Sequence, residues 1–381
     1  MAVGLPLVFA AACTSGSPSS SKSSQASPTR SSPPTAWAGQ VAKCPNGATP
    51  NRPGPANQQR PPVSNDFVSD DPDSPAAMDT QSGRVVVWNT KSRSTWTLDV
   101  CSNTWQAMKP AQEPDSAVGR MVYDSALDVT IAFTHPIYEP GRRVSVWTYL
   151  FETNTWTKLP ASAPGPRIWP YVRDLVYDSR SGTALFFLED ATLWAYDLTR
   201  NAWTKANQTG QVPGERDLHD EHTDNQFYPS FLSYDSVAGR VVLALVGGGT
   251  WTFAPLAGVW TKAKAVTPRI DVGYYAAGSE VTFNAVHKRT VIYSYGRLAT
   301  YDAAAQTRTT VPPRQLPDSA PLMTGPLARL HHTLVYDPIN KRVLMFGGQS
   351  QMPAGWQSLD DVWAYDLTSR TWAQVVPATR K

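Results

Sequence analysis

The segments LWAYDLTRNAWTKA (193–206) and VWAYDLTSRTWAQV (362–375) are near copies of each other. In both, a tryptophan is followed nine residues later by a second tryptophan. Three further segments keep this spacing with different residues between the tryptophans: WTLDVCSNTWQAM (96–108), WTYLFETNTWTKL (147–159) and WTFAPLAGVWTKA (251–263). A spacing that recurs in this way marks an internal repeat, and the repeat decides the fold.

Each repeat predicts four β-strands. The tryptophan segments alternate aromatic and polar residues on either side of a polar turn, which indicates a β-hairpin. A second hairpin precedes each of them, as in LVYDSRSGTALFFL (175–188) and LVYDPINKRVLMFGG (334–348). The corresponding segments of the other repeats are AMDTQSGRVVVWN (77–89), MVYDSALDVTIAFT (121–134) and LSYDSVAGRVVLAL (232–245).

A sixth unit lacks both tryptophans. It comprises 281–296 and 298–311, with Ala299 and Arg308 at the tryptophan positions. A four-stranded unit that repeats at about 40 to 50 residues is typical of a β-propeller, in which each blade buries its faces against its neighbours. We therefore predict an all-β fold, with a six-bladed propeller over 73–378 and its weakest packing in the fifth blade. The units are counted from the anchor residues Asp79, Asp124, Asp178, Asp235, Asn284 and Asp337.

The repeat resembles the kelch motif. The order of a strand, a Tyr-Asp turn, an apolar strand, Gly-Gly, Val-Trp-x-Tyr-Asp and a closing tryptophan is complete at 329–375. The double glycine survives only there and within 247–249, so the other four units are degenerate. The resemblance implies a kelch-like propeller and no particular activity. The copper oxidases of this fold need a Tyr cross-linked to a Cys, and the only blade cysteine is Cys101 in a turn, so we expect no cofactor.

The N-terminus indicates export. The apolar run AVGLPLVFAAAC (2–13) has the length of a signal-peptide core and is too short to span a bilayer as a helix. Its end resembles a bacterial lipobox, which implies a signal peptide over 1–12 and lipidation of Cys13. Ala10 stands where leucine is usual, and no Lys or Arg precedes the run. A plain secreted signal peptide and a chance apolar stretch remain alternatives.

The Ser/Pro-rich segment 13–40 has almost nothing to bury, so we predict a disordered stalk between the anchor and the folded domain. An irregular segment, 41–72, is expected to pack on the propeller. If Cys13 carries lipid, Cys44 and Cys101 remain as an even pair, which predicts a disulfide in an oxidising compartment. Two free thiols are the alternative.

Function is expected on one face of the propeller, because the connections between hairpins and between blades vary in length while the turns within hairpins are uniform. Arginine with aromatic rings suits carboxylates and sugar faces, although repeated arginines also bind backbone carbonyls of a neighbouring blade. Arg120 and Arg269 occupy comparable places before their blades. The candidate ligand-binding residues are Arg167, Trp169, Arg173, His219, His222, Tyr274, Arg329, His331, His332 and Trp356.

Metal, catalytic and nucleic-acid sites are not expected. The run from His219 to Asp224 is dense in titratable groups, but His-x-x-His on a loop has no fixed ligand geometry. A formal net charge of +3 is too small to indicate a nucleic-acid partner. We predict a monomeric interaction or carbohydrate-recognition module at the cell surface, with a protein or glycan ligand. The alternative is a hydrolase or lyase of extracellular polysaccharide that uses His219, His222 or His331 with a nearby carboxylate.

Overall fold

The fold is taken from a computed structural model of the 381-residue chain. The chain divides into two units, Met1–Ser32 and Pro33–Lys381, and every residue that the structure describes belongs to the second unit. The described residues are 41–63, 74–115, 117–134, 144–160, 165–166, 172–188, 190–214, 217, 230–245, 249–263, 279–294, 296–311, 325–353 and 355–379. The predicted signal peptide, lipidation site and stalk therefore lie outside them.

The regular elements of this part of the chain are β-strands in six sheets, here called blades 1 to 6. Blade 1 contains β1 (Ala76–Asp79), β2 (Arg84–Asn89), β3 (Ser94–Asp99) and β4 (Thr104–Ala107); blade 2 contains β5 (Val118–Asp124), β6 (Val129–Thr134), β7 (Ser145–Leu150) and β8 (Thr155–Lys158). Blade 3 contains β9 (Val172–Asp178), β10 (Thr183–Leu188), β11 (Leu193–Asp197) and β12 (Ala202–Lys205); blade 4 contains β13 (Thr209–Gly210), β14 (Ser230–Asp235), β15 (Arg240–Leu245), β16 (Thr250–Ala254) and β17 (Val259–Lys262). Blade 5 contains β18 (Ser279–Asn284), β19 (Arg289–Ser294), β20 (Arg297–Asp302) and β21 (Thr307–Val311); blade 6 contains β22 (Leu330–Asp337), β23 (Arg342–Met352), β24 (Gly355–Ser358), β25 (Val362–Asp366) and β26 (Thr371–Val376).

Four strands of each blade follow one another in the sheet in chain order, with antiparallel pairing between neighbours. Two short strands are additions: β13 pairs in parallel with β17, and β24 pairs with β23. The innermost strands β1, β5, β9, β14, β18 and β22 contact one another in this order, and β22 contacts β1 again. The prediction of an all-β, six-bladed propeller is confirmed.

The tryptophan pairs pack between blades. Six hydrophobic clusters of the described residues lie one in each gap between neighbouring blades. Trp251 and Trp260 of blade 4 pack against blade 3, and Trp147 and Trp156 of blade 2 pack against blade 1. Because the sheets twist, neighbouring blades diverge toward the outside of the propeller, and large aromatic side chains fill the gaps between them. Each aromatic side chain buries about 150–250 Å².

The anchor aspartates explain why the first turn of each blade is uniform. Oδ1 of Asp79 accepts hydrogen bonds from the amides of Gln81 and Ser82, both at 3.0 Å. Asp124, Asp235 and Asp337 make the same pair of bonds to the amides two and three residues later. In each of these tight turns, the carboxylate takes the place of a backbone carbonyl as the hydrogen-bond acceptor for the turn amides. This role explains why the repeat has an acid at this position.

In blade 5, an arginine occupies a tryptophan position. Arg308 is buried, and its Nη2 donates to Thr250 Oγ1 of blade 4 at 3.1 Å. In blade 2, Trp156 Nε1 donates to the equivalent Thr95 Oγ1 of blade 1 at 2.7 Å. Arg308 therefore keeps the donor of the lost indole, but its Nε and Nη1 are buried without a hydrogen-bond partner in the structure. Burial accordingly lowers the pKa of Arg308.

Replacing Arg308 with tryptophan is expected to raise the free energy of unfolding by about 1–2 kcal/mol. The change removes a buried, incompletely bonded cation and restores an aromatic ring with one N–H donor. Urea denaturation of the Arg308→Trp protein measures the effect, with Arg200→Trp as a control because the Arg200 side chain is 81% exposed. A destabilised Arg308→Trp protein would show that the neighbouring Ala299 has let the gap close too far to admit the ring.

Segment 41–63 closes the ring. Since each blade is built from consecutive strands, no strand is shared between the first and last blades. Instead, Gly54 N donates to Val375 O of blade 6 at 2.8 Å, and the Asn103 side chain of blade 1 donates to Pro50 O at 2.7 Å. Arg60 forms an ion pair with Asp360. The side-chain amide of Gln58 donates a hydrogen bond to blade 1 through Nε2 and accepts one from blade 1 through Oε1. The segment thus joins blade 1 to blade 6 along their outer edges.

A disulfide between Cys44 and Cys101 fixes this segment to blade 1, as the cysteine count predicts. The bond closes a loop with a sequence separation of 57 residues. Loop-closure entropy for this length gives a stabilisation of about 4 kcal/mol, and measured values usually lie near 2–4 kcal/mol.

Removing both disulfide cysteines, in Cys44→Ser/Cys101→Ser, is expected to lower the free energy of unfolding by about 2–4 kcal/mol. Guanidinium denaturation measures this change. Cys13→Ser serves as the control, because Cys13 lies outside the described propeller. An unchanged midpoint in the double variant, or free thiols at both positions in non-reducing peptide maps of the purified protein, would contradict the prediction.

Candidate functional site

The antiparallel strand order separates two faces. The turns that join the first and second strands and the third and fourth strands of every blade lie on one side, here called the short-turn face. The strand ends joined by the remaining connections, such as 90–93 and 353–361, lie on the other side, here called the variable face. The short turns are four residues long in all six blades, whereas the connections on the variable face range from a tight turn to long segments. The predicted contrast between the two sets of connections is therefore present.

The double glycine of blade 6 shapes the variable face. Gly347 and Gly348 have φ values of +68° and +83°, and a Cβ on Gly348 would lie 2.4 Å from Leu330 O. Only glycine fits there without moving the strand. Beyond it, β23 continues into a hairpin with β24 that carries the half-buried Trp356.

Arg329 lies inside the propeller. Its side chain is fully buried and forms a two-pronged ion pair with Asp361, with Nη1–Oδ1 at 2.7 Å and Nη2–Oδ2 at 3.2 Å. It also donates to Leu327 O at 3.2 Å and to Gly347 O at 3.0 Å. Trp363 Nε1 completes the cluster with a bond to Asp361 Oδ2 at 2.7 Å. The sequence leaves two roles open for this arginine, ligand binding and bonding to backbone carbonyls. In the structure, its side chain bonds to backbone carbonyls and to Asp361.

His332 is also interior. It is fully buried, and its ring meets the Tyr293 ring edge-on at 4.9 Å between centroids. Burial, with further repulsion from Arg329 and His331, lowers the pKa of His332 well below its usual 6.5. It is therefore neutral at pH 7 and out of reach of a ligand on the surface, which corrects its placement among the ligand-binding residues. His331 beside it is half-buried, with a left-handed φ of +54°.

Several candidates lie outside the described residues: Arg167, Trp169, His219, His222, Arg269 and Tyr274. Arg173 lies in β9, but its side chain is not described. Within the described part of the chain, no group of three or more His, Cys, Asp or Glu residues is arranged to hold a metal ion. The proposed role of the residues in the long connections stays a prediction.

A charged cluster lies where the innermost strands approach the axis on the variable side. Arg120 of β5 has its Nε 3.6 Å from Oδ1 of Asp174 in β9. Asp174 also accepts from the amide of Leu175 at 2.7 Å and from the amide of Leu232 in blade 4. Glu280 of β18 shares this electrostatic environment, since both Arg120 and Asp174 act on its carboxyl.

The placement of arginines before the blades points to Arg120 but not to Asp174 or Glu280. A usable signal was present, because all three stand four residues before their repeat's anchor, which is Asp124, Asp178 or Asn284. Equivalent positions in a propeller lie at one height around the axis, so charges at one repeat position in three blades face a common space.

Burial controls the protonation of the two acids. It raises the pKa of Asp174 to about 6, although Arg120 and two backbone amides oppose the shift. It raises the pKa of Glu280 to about 8, where Arg120 again opposes and the charge of Asp174 adds to the rise. At neutral pH, Glu280 is therefore mostly protonated, with an O–H that can donate, while Asp174 is mostly ionised.

Glu280→Gln is expected to remove part of the pH dependence of stability. A carboxyl whose folded-state pKa lies above its unfolded value stabilises the fold at low pH, and this contribution is lost as pH rises from about 4.5 to 8. Glutamine mimics the protonated acid. The free energy of unfolding of the variant should therefore exceed that of wild type by about 1–3 kcal/mol at pH 8.5 and equal it at pH 4.5. This range of free energies allows for partial solvent screening. Urea titrations at both pH values measure this, with the exposed Glu152→Gln as control. Parallel pH profiles for wild type and Glu280→Gln would contradict the assignment.

Comparison with known proteins identifies the repeat. The Kelch motif model matches residues 332–378, in blade 6. The chain is 23% identical to Kelch domain-containing protein 3 of Bos taurus, over 63% of this chain and 64% of that protein, and 24% identical to the Homo sapiens protein over the same shares. The chain forms a kelch-like β-propeller, with a Kelch motif in blade 6. It spans just under two thirds of the length of these curated relatives.

Among solved structures, this kelch propeller is similar to a chain in the crystal structure of a nidogen/laminin complex. The TM-score is 0.41 at 10% identity, over 62% of this chain and 78% of that chain. A kelch propeller is a scaffold suited to an interaction module, in which the loops rather than the fold set the ligand.

The kelch propeller also has an axial cavity of about 360 Å³ toward the short-turn face. The innermost strands of all six blades line it, with a ring formed by the residue before each anchor: Met78, Tyr123, Tyr177, Tyr234, Phe283 and Tyr336. Burial raises the pKa of Tyr234 to about 12, so its hydroxyl remains protonated. An apolar layer that includes Leu175, Leu232 and Val281 borders this cavity on the side of the charged cluster.

Proposed function

We propose that this kelch propeller is an extracytoplasmic recognition module that binds a protein or glycan ligand with its variable face. The charged cluster of Arg120, Asp174 and Glu280 would lie at the centre of that face, and the β23–β24 hairpin with Trp356 at its rim. An arginine, an ionised acid, a protonated acid and an aromatic ring offer the donors, acceptors and stacking surface that sugars and peptides use.

The observation that carries the proposal is the contrast between the two faces. On the short-turn face, all turns have one length, and in blades 1, 2, 4 and 6 the anchor aspartate accepts hydrogen bonds from amides of the first turn. On the variable face, the connections differ in length from blade to blade, and half-buried charged side chains converge at the axis. Variation of loops on a rigid scaffold is how propellers and other repeat folds acquire ligand specificity.

The chain path is compatible with an N-terminal anchor. Ala42 N donates to Thr80 O at 2.8 Å, and Cys44 is bonded to Cys101, so the first described residues lie at the short-turn face of blade 1. We propose attachment through lipidated Cys13, or secretion, with the variable face available to ligand. No helix in the described residues is long and apolar enough to cross a bilayer.

The proposal is tested by screening the full chain against glycans and protein fragments. For a ligand so found, Arg120→Gln and Trp356→Ala should each weaken binding by about 1–3 kcal/mol, or roughly 5- to 150-fold, because arginine and tryptophan are the residue types that contribute most strongly to interfaces. Ser369→Ala on the short-turn face is the matched control and should bind as wild type. Equal losses in Ser369→Ala and the two variable-face variants, with unchanged melting temperatures, would refute the assignment of the face.

A hydrolase or lyase of extracellular polysaccharide is a second candidate, favoured by the different protonation of Asp174 and Glu280. Two carboxyl groups with separated pKa values are the usual arrangement for acid and base catalysis. Release of reducing or unsaturated ends from a bound polysaccharide by wild type, lost in Glu280→Gln, would establish this activity. Tight glycan binding without release of such ends would favour the recognition module over the enzyme.

A further inference from the structure

The short-turn face carries an exposed apolar patch on one side of the ring. Leu256 is 81% exposed, Val286 is 51% exposed and Val237 is 45% exposed. Each stands in a turn between strands, in blade 4 or blade 5. Turn positions usually hold polar residues, as in 80–83 of blade 1, so exposed aliphatic side chains at three turns call for a partner.

None of the four short turns of blades 4 and 5 contains an acidic residue. Turns 236–239, 255–258, 285–288 and 303–306 read SVAG, PLAG, AVHK and AAAQ. The turns of other blades include Asp128, Glu152, Arg180 and Arg200. The short turns of blades 1, 3 and 6 also lack acids, so what distinguishes blades 4 and 5 is the aliphatic side chain: among the described residues, the exposed large hydrophobic side chains in short turns are those of Val237, Leu256 and Val286.

Cations border this patch. Lys288 and Arg240 are exposed at its turns, and the Arg180 guanidinium lies on it through bonds to Val237 O at 2.7 Å and Ala238 O at 3.2 Å. The nearby carboxylate of Asp302 is paired with Arg289 at 2.6 Å. Aliphatic tips surrounded by Lys and Arg are the composition of surfaces that lie in the interface of an anionic membrane.

We propose that the short-turn face of blades 4 and 5, through Val237, Leu256 and Val286, docks onto an anionic lipid surface. The three side chains insert at the level of the headgroups, and Arg180, Arg240 and Lys288 bind lipid phosphates. The face is the one at which the chain passes toward its N-terminal segment, since Ala42 and Cys44 lie on the short-turn face of blade 1.

This docking goes beyond the proposed recognition function, because it assigns a second surface to the molecule. A tether from Cys13 to Val41 is about 90 Å long when extended, so an anchor by itself leaves the propeller free to turn. A lipid-binding patch on the short-turn face directs the variable face away from the bilayer. Ligand recognition by the variable face and lipid docking by the short-turn face can be refuted independently, because ligand binding in solution does not require lipid.

Contact is tested with a dye at the patch. In full-length Cys13→Ser/Leu256→Cys protein, an environment-sensitive label at position 256 should shift to the blue with phosphatidylglycerol vesicles and be quenched by spin-labelled lipid. The same label in Cys13→Ser/Val212→Cys is the matched control, because Val212 is an exposed valine outside the turns of the short-turn face. No shift at position 256, or equal shifts at both positions, would overturn the proposal.

Affinity is tested by co-sedimentation of the full chain with vesicles of phosphatidylglycerol or phosphatidylcholine. The bound fraction with phosphatidylglycerol should fall at least five-fold in Val237→Ser/Leu256→Ser/Val286→Ser and at least two-fold in Lys288→Glu, and remain at the wild-type level in Val212→Ser. A wild-type bound fraction in the triple variant refutes the patch. Concentration-dependent dimers that the triple variant abolishes, without contact of position 256 with lipid, would assign the patch to a second copy of the chain and also overturn the proposal.

Discussion

Arg342→Ala is expected to lower the free energy of unfolding by about 3–5 kcal/mol, because Arg342 joins three parts of the ring. The guanidinium is almost fully buried, and its Nε pairs with Asp337 Oδ2 of blade 6 at 2.9 Å. Its Nη2 donates to Val100 O at 2.8 Å and Asn103 Oδ1 at 3.0 Å in blade 1, and Nη1 donates to Pro50 O of the closing segment.

The loss is large because alanine removes a charged donor from several buried acceptors. Asp337 would keep only bonds from its own turn, and Asn103 Oδ1 would lose its bond from the guanidinium. The carbonyls of Val100 and Pro50 would each keep one neutral donor, Asn340 Nδ2 and Asn103 Nδ2, and lose the charged one. The site also lies where the ring closes without a shared strand, so no ladder of backbone bonds between blades 1 and 6 compensates.

Urea denaturation of Arg342→Ala measures the change, and Arg200→Ala is the matched control. Arg200 pairs with Asp197 in another short turn, but it is exposed, so its loss should change stability by less than about 0.5 kcal/mol. Arg342→Lys should fall between the two, since lysine keeps the charge but cannot reach all the acceptors. A loss below 1 kcal/mol in Arg342→Ala would mean that segment 41–63 holds the ring without it.

Arg329→Ala is expected to lower the free energy of unfolding by about 3–5 kcal/mol, because this variant also leaves a buried charge unpaired, here within blade 6. Removing the guanidinium leaves Asp361 as a buried carboxylate with only neutral donors from Trp363 and Gln374. The carbonyl of Gly347 also loses a donor. Replacement of both charges, in Arg329→Met/Asp361→Leu, should recover much of the loss because no unpaired charge remains.

Denaturation curves and ligand titrations separate the two roles considered for Arg329. If Arg329 is internal, Arg329→Ala protein that is still folded at low temperature binds ligand as wild type does, and the double variant regains stability. A stable Arg329→Ala protein with weakened binding would instead place the arginine in the ligand site and contradict the burial described above.

The blade count and the strand positions follow from local sequence. A propeller blade is a run of hairpins, each specified by alternation with period two and by the turn residues between. The anchor aspartates bond to amides two and three residues later, and such short-range geometry repeats wherever the residues repeat. The even count of cysteines besides Cys13 likewise predicted the Cys44–Cys101 bond.

The roles of repeated charges needed the tertiary structure. Arg120 lies near the start of β5 and Arg329 directly precedes β22, yet Arg120 contributes to the cluster at the axis while Arg329 is buried against Asp361. The difference arises because Asp361, which lies between β24 and β25 of blade 6, pairs with Arg329 inside the blade.

Sequence by itself determined the repeat, the number of blades and the uniform turns, because these depend on contacts between residues close in the chain. Only the tertiary structure brought Asp174 and Glu280 together with Arg120, and decided that Arg342 closes the ring. Residues from different blades meet according to the curvature of the whole ring, and the protonation of a carboxyl depends on how much water the surrounding blades exclude.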